Sequence, residues 1–247
     1  HWMVHSFPTR RSSDLAKAFA MGDNIISAVR VKVVSTEEIT RNMVELMPFY
    51  ARENKIEELV LPFFKKYSFL HSIHVNFQNN TFPLGFTNLK FTRANDSVTI
   101  LKDGHLSGCY AEKKSQEMLL QDQTSGWSEP YRCNDESVPL SSYLYRFTIN
   151  DPETRRKASG WISSELSLHF LTQEISNIEL SKKAFVMIVS KKGTYISHPV
   201  ESKIFYNNLF NVSKREVLAD TLAIRKILEN QEKGSFIVYP EIFNFQK

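Results

Sequence analysis

Only two cysteines, Cys109 and Cys133, occur in the 247 residues. That is too few for a structural zinc site by themselves, and they make no C-x-x-C redox motif. A disulfide between them is open in an oxidising compartment; otherwise they are small buried apolar groups. Long apolar runs are lacking as well. The longest, such as the one that begins AFVM at 184–187, fall far short of the roughly 20 residues that a membrane-spanning helix needs. No charge of one sign prevails: 31 Lys and Arg stand against 27 Asp and Glu. The small excess is scattered, with no basic stripe to track phosphates, so nucleic acid is not an expected partner. Catalytic signatures are missing in turn, with no G-x-S-x-G, no H-E-x-x-H, no P-loop and no G-x-G-x-x-G. A nucleophile could be assembled from Cys109 and His198, but nothing local activates either. His71 and His74, three apart in a segment that reads as a strand, point to opposite faces and so make no metal pair. No metal, cofactor or catalytic residue is expected.

What is present is a globular composition, 42% apolar and 12% aromatic, enough for the core of one large domain or two small ones. The first fifteen residues, HWMVHSFPTRRSSDL, show no period and no apolar signal region. Their core, SFPTRRSSDL, resembles translated sequencing-adapter read-through, so residues 1–15 are expected to be non-native, without regular structure, and are set aside. Without them the net charge changes only from +4 to +3.

From Ala16 to about Tyr67 the chain reads as helix. Ser35 and Glu38 make a capping-box pattern, and Ile39, Met43, Leu46 and Met47 follow at helical spacing. Pro48 is expected to interrupt this helix, after which Ile56, Leu59, Val60, Phe63 and Phe64 restore an apolar stripe. Beyond Tyr67 the period becomes two. FLHSIHVNF alternates as a strand, SVTILKDGHLSGCY as two strands about Asp103-Gly104, and VPLSSYLYRFTI as another. SGWISSELSLHFLTQEI runs from strand into helix, KKAFVMIVSKKGTYISHP is a hairpin whose turn needs Gly193 at positive φ, and a helix follows around Leu218 to Leu228. The order predicts an α+β chain with antiparallel sheets built from local hairpins.

The aromatic residues Tyr110, Trp127, Tyr131, Tyr143 and Tyr145 flank these hairpins, with a lone carboxylate, Glu165, where strand passes into helix. Rings as walls and one charge to fix orientation suit a small-molecule pocket. Ordinary core aromatics would give the same pattern, and composition does not separate the two.

The segments WSEPY, VPLSSYLYRF, ASGWISSELSLHFLTQEI and AFVMIVSKKGTYISHP, in that order and at those intervals, resemble the double Cache domain of bacterial transmembrane receptors. The resemblance extends from about Ile25 to Phe245 and is nearest to the members that feed a serine phosphatase or a histidine kinase. It implies a long N-terminal helix carrying two stacked PAS-like antiparallel-sheet modules, the second cut short at Lys247. The implied organisation is stalk helices over 16–69, a membrane-distal module over 70–178 and a membrane-proximal one over 179–247. It implies further an extracytoplasmic (periplasmic), non-enzymatic ligand-sensing region, dimeric through its N-terminal helix and joined to the membrane only by flanking helices. The implied pocket lies in the distal module, lined by Trp127, Tyr131, Tyr143 and Glu165, with Tyr110 as an additional member. Two departures bear on the ligand. KKSQEMLLQDQTSGW replaces the Arg-x-Trp-Tyr group that grips a ligand carboxylate in amino-acid-binding members. Glu165 stands where those members place the Asp that receives an ammonium. The ligand implied is an amine, polyol or purine rather than a dicarboxylate. A ligand-free Cache scaffold that dimerises and relays is the alternative, and a hydrolase a remote one.

Overall fold

The computed structural model describes residues 3–6, 12–94, 97–103, 123–132, 138–171, 186–190, 192–198, 201–206 and 208–210. The chain divides into two compact units, one of Arg30–His169 and one of His1–Val29 with Phe170–Lys247.

The elements of the first unit are helix α1 (Ser12–Arg52, which begins in the other unit), helix α2 (Ile56–Lys66) and seven strands. The strands are β2 (Leu70–Asn80), β3 (Asn88–Ala94), β4 (Ser97–Lys102), β5 (Ser125–Trp127), β6 (Tyr131–Arg132), β7 (Pro139–Asn150) and β8 (Lys157–Ser167). They form one sheet in the order β4-β3-β2-β8-β7-β5, with β6 also on β7, and every pairing is antiparallel. The first and last of these strands in the chain, β2 and β8, lie side by side at its centre, as a PAS-like module requires.

Strand alternation gives this sheet two unlike faces. Ile73, Val75 and Phe77 of β2, Leu89 and Phe91 of β3, Phe147 and Ile149 of β7 and Ile162 of β8 form one apolar cluster with the helices. Ile39, Met43, Met47 and Ala51 of α1 and Ile56, Leu59, Val60 and Phe64 of α2 supply the other side. The opposite face carries Ser72, His74, Asn76, Ser142, Ser163 and Glu165, polar residues where the helix-facing row is apolar. Gly160 is fixed by a close approach of the neighbouring strand: a Cβ there would stand 1.9 Å from the Asn76 carbonyl oxygen. Arg93 ties β3 to the end of α2, since its guanidinium donates to the Phe64 carbonyl and lies 4.8 Å from that ring's centroid.

Several expectations change. Pro48 does not end its helix, which runs on to Arg52. Met47 and Ala51 are fully buried in the helix–sheet core, and that packing outweighs one lost backbone bond. The chain then turns at Asn54, with φ +59°. Ser35 and Glu38 sit within α1 rather than at its start; the capping pattern is local, and the turn before it is already helical. Strand β3 has no counterpart among the expected elements, and it is the partner of both β2 and β4.

In the second unit, β9 (Val186–Val189) pairs antiparallel with β10 (Tyr195–Ser197) about Gly193, whose φ is +85° as expected. A Cβ at Gly193 would also meet the Phe210 ring at 2.5 Å. The other edge of β9 is taken by β1 (Met3–Ser6), in register from Met3 opposite Val189 to Ser6 opposite Val186. Within the first fifteen residues Met3–Ser6 therefore do hold regular structure, and α1 begins at Ser12 rather than Ala16. Strand addition at an edge uses backbone N–H and C=O groups, so it needs no apolar period. The hairpin strand β10 pairs with β9 and with no described strand of the first sheet. The helix expected at Leu218–Leu228, and Cys109, Cys133 and Tyr110, lie outside the described residues.

Candidate functional site

The polar face of the sheet is organised in cross-strand rows. Ser72, Glu165 and Ser142 are directly opposite one another on β2, β8 and β7. The next row is His74, Ser163 and Leu144, and the one after it Asn76, Trp161 and Arg146. Glu165 sits in the middle of the first row and is 2% exposed.

A carboxylate so placed requires donors, and they are there. Ser72 Oγ donates to Oε2, and the Tyr131 hydroxyl, brought in by β6, donates to Oε1 at 2.5 Å. The single hydrogen of each hydroxyl is thereby committed, which fixes the next bonds outward. His74 Nε2, 3.0 Å from Ser72 Oγ, must be the donor there. Ser142 Oγ must likewise donate to the Tyr131 hydroxyl, since its own distance to Oε1 is a long 3.5 Å. His74 and Ser142 thus point their hydrogens inward through Ser72 and Tyr131, and all converge on Glu165. His74 Nε2 also stands 3.6 Å from Oε2 as an ion partner when protonated. Burial pushes the Glu165 carboxyl up, but the His74 charge and hydrogen bond and the Ser72 and Tyr131 hydroxyls outweigh it and hold the group well below the usual carboxylate range. Glu165 is ionised at neutral pH.

Ser, His and Glu in contact match the residue types of a nucleophilic triad, yet the wiring differs. A triad needs the hydroxyl hydrogen directed at the imidazole and the acid on the far ring nitrogen. Here Ser72 gives its hydrogen to the carboxylate, and the acid faces the same nitrogen as the serine. This set holds a charge; it does not activate an oxygen.

Beside it, Ser163 is fully buried and its Oγ finds no hydrogen-bond partner among the described residues. Leaving a buried hydroxyl unpaired costs about 1–3 kcal/mol. Leu144 and Trp161 pack together next to it and form the apolar part of the same face.

The expected site residues fall into two groups. Tyr131 and Glu165 meet directly. Trp127 and Tyr143 lie against each other with ring centroids 5.4 Å apart, on the helix-facing side of the sheet, where Trp127 Nε1 donates to Glu37 of α1 at 2.6 Å. Alternation explains the split: Tyr143 follows Ser142 on β7 and so faces the other way. Sequence reasoning missed His74, Ser72, Ser142 and Ser163. The alternation of FLHSIHVNF placed Ser72 and His74 on one face, but nothing in that segment says which strand its polar face would meet. Among the described residues no group of three or more His, Cys, Asp or Glu could hold a metal ion, and no described helix is long and apolar enough to cross a membrane.

No protein-family model matches the chain, and no curated protein does. Solved structures do match in fold. The extracellular domain of mmHK1S-Z3, named as a histidine kinase, is 16% identical with a TM-score of 0.64 over 89% of this chain and 82% of that one. The periplasmic sensory domain of the Campylobacter jejuni chemoreceptor Tlp1 is 10% identical with a TM-score of 0.65, covering 87% and 81%. The ligand-binding domain of the Pseudomonas aeruginosa amino-acid chemoreceptor PctC, solved with GABA, is 12% identical with a TM-score of 0.53, covering 76% of each chain. The chain shares the fold of these extracellular and periplasmic sensory domains.

Proposed function

We propose that this chain is the extracytoplasmic ligand-sensing region of a bacterial membrane-bound signal-transduction receptor and not an enzyme. A small molecule would bind in the first unit, on the sheet face that holds Glu165 and Tyr131. The observation that carries the reading is the buried, ionised Glu165 with its converging donors. Apolar residues would stabilise a core of this size as well or better, and a buried charge in a receptor fold is where ligand chemistry is expected. An amine, polyol or purine fits a site that has a carboxylate and no arginine in its described inner row. Binding would act by differential affinity for two arrangements of the receptor.

The receptor would be a homodimer through α1. Val31 and Phe49, both about 65% exposed, stand about five turns apart and so on one side of the helix, with Val34 and Leu46 about 60° to either hand. Four exposed apolar side chains on one flank suit a helix–helix contact. A second reading, a ligand-free scaffold, draws on Trp127 and Tyr143 packing toward α1 rather than beside Glu165.

A thermal-shift screen of amines, polyols and purines tests the choice, because a ligand that binds only the folded state raises the melting temperature by mass action. A hit whose affinity falls more than tenfold on Glu165→Gln supports the sensor. No hit in any class favours the scaffold.

A further inference from the structure

We propose that Ser163, and not Glu165, is the residue through which this site reads its ligand, and that the ligand is an uncharged hydroxyl- or carbonyl-bearing molecule rather than an amine. The inference rests on the ligand-sensing reading above and narrows its ligand class.

Three observations on one sheet face lead to it. The carboxylate of Glu165 is already engaged at both oxygens by the chain's own donors, Ser72 on Oε2 and Tyr131 on Oε1. The His74 imidazole also stands close, with Nε2 3.6 Å from Oε2. An ammonium ligand would have to displace one of these hydroxyl donors and would find His74 Nε2 already beside the same oxygen, so the carboxylate offers it no open acceptor among the described residues. The second observation is Ser163, one row along the sheet between His74 and Leu144 and fully buried, with an Oγ that has no partner among the described residues. A buried hydroxyl left without a partner is the feature that a hydrogen-bonding ligand would complete. It can donate to a carbonyl or accept from a hydroxyl, and it carries no charge to select for an ion. Third, the Leu144 and Trp161 side chains lie against each other beside it, which suits a compact molecule with a carbon skeleton and oxygen at its edge. In this arrangement Glu165 is a positioning residue: it holds Tyr131 and, through Ser72, His74, which lies directly opposite Ser163.

The experiment uses the 247-residue chain and isosteric pairs that differ only in oxygen against ammonium: 1,4-butanediol with 1,4-diaminobutane, glucose with glucosamine, and ethanol with ethylamine. Each is titrated by calorimetry and by thermal shift, on the wild type and on Ser163→Ala. The expected result is that the neutral member of at least one pair binds at least tenfold more tightly than its amine, about 1.4 kcal/mol. Ser163→Ala should lower that affinity at least tenfold. The same variant without ligand should melt at the same temperature as the wild type or higher, because it removes an unpaired buried hydroxyl. An amine that binds more tightly than its neutral isostere overturns the inference and leaves the sensor reading standing. So does neutral binding that Ser163→Ala leaves unchanged, or a ligand-free Ser163→Ala that melts several degrees lower, which would give Ser163 a structural bond. Absence of binding by every member of all three pairs overturns the inference and the sensor reading together.

Discussion

Replacing Glu165 by glutamine keeps the shape of the buried group and removes its charge. Two hydrogen bonds to the carboxylate, from Ser72 and from Tyr131, would become neutral. Charge-assisted bonds are about twice as strong as neutral ones, whose net worth is about 1 kcal/mol. Neutralising both therefore costs about 2 kcal/mol. The glutamine amide also presents a donor where both oxygens now accept, so either the Tyr131 or the Ser72 hydroxyl must turn away, a further loss of about 1 kcal/mol. His74 loses its ion partner as well. The expected destabilisation is about 3 kcal/mol, near the lower end of what breaking a buried ion pair costs. The assay is urea unfolding followed by the fluorescence of Trp127 and Trp161, both in the unit of Arg30–His169. With a slope of about 1–3 kcal/mol per M, the midpoint should fall by about 1–3 M. The pH dependence adds a check on sign. The folded-state pKa of Glu165 is depressed below the 4.5 of a free glutamate. Its stabilisation is therefore complete above that value and is lost as pH falls through the lower folded value. The gap between wild type and Glu165→Gln should be level from about pH 7 to 5 and should narrow toward about pH 3. A loss under about 0.5 kcal/mol, or a gap that widens on acidification, would refute the account of Glu165 as an ionised, internally paired charge.

Gly160→Ala should unfold or severely destabilise the first unit, since its Cβ would overlap the Asn76 carbonyl oxygen at 1.9 Å; far-ultraviolet circular dichroism and a melting curve decide, and an unchanged melting temperature would count against the tight β2–β8 register. Trp127→Phe should cost about 1 kcal/mol through the lost bond to Glu37 while leaving ligand affinity unaltered, because the ring stands on the helix side; a tenfold loss of affinity would move Trp127 into the site. Deleting residues 1–11 removes β1 from β9 and should lower the melting temperature by a few degrees and increase self-association, read by light scattering. A deletion that is silent in both would mean that the β1 pairing adds nothing.

The helices and the sheet were legible where one period governs a whole segment. Met43, Met47, Leu59 and Phe64 repeat at helical spacing and are buried as that spacing demands, and β7 coincides with VPLSSYLYRFTI displaced by one residue, from Pro139 to Asn150. Signals that depend on one residue were less dependable. Pro48 speaks for a helix end only if nothing holds the next turn, and Ala51 against the core holds it. Strand β3 was illegible for a related reason. NLKFTRA is short, and only Leu89 and Phe91 mark its buried side, so its identity as a strand depends on β2 and β4 being there to pair with it.

The site divides along the same line. Glu165 could be singled out from the sequence because a lone carboxylate in a strand whose other charged residue is only its first, Lys157, must find donors if that strand is central. Who those donors are is a matter of register, and register is set by pairing between segments about ninety residues apart, beyond the reach of local pattern. Ser72 lies opposite Glu165 because β2 and β8 are neighbours in one unbroken register from Ser72 opposite Glu165 to Phe77 opposite Gly160. A slip of that register by one residue would bring a residue of the other face of β2 opposite the carboxylate. The same register puts Ser163 between His74 and Leu144 and so leaves its hydroxyl without a partner among the described residues. A serine in WISSELS is unremarkable as sequence and becomes informative only when the neighbours that could have bonded it are known. This order of legibility has a physical cause: the fold is specified by repeated apolar choices that tolerate substitution, whereas the polar set around Glu165 depends on a few positions whose partners come from distant strands. On the sensor reading proposed above, ligand specificity would change through one or two residues of the polar face while the helix-facing core, and with it the fold, stays as it is.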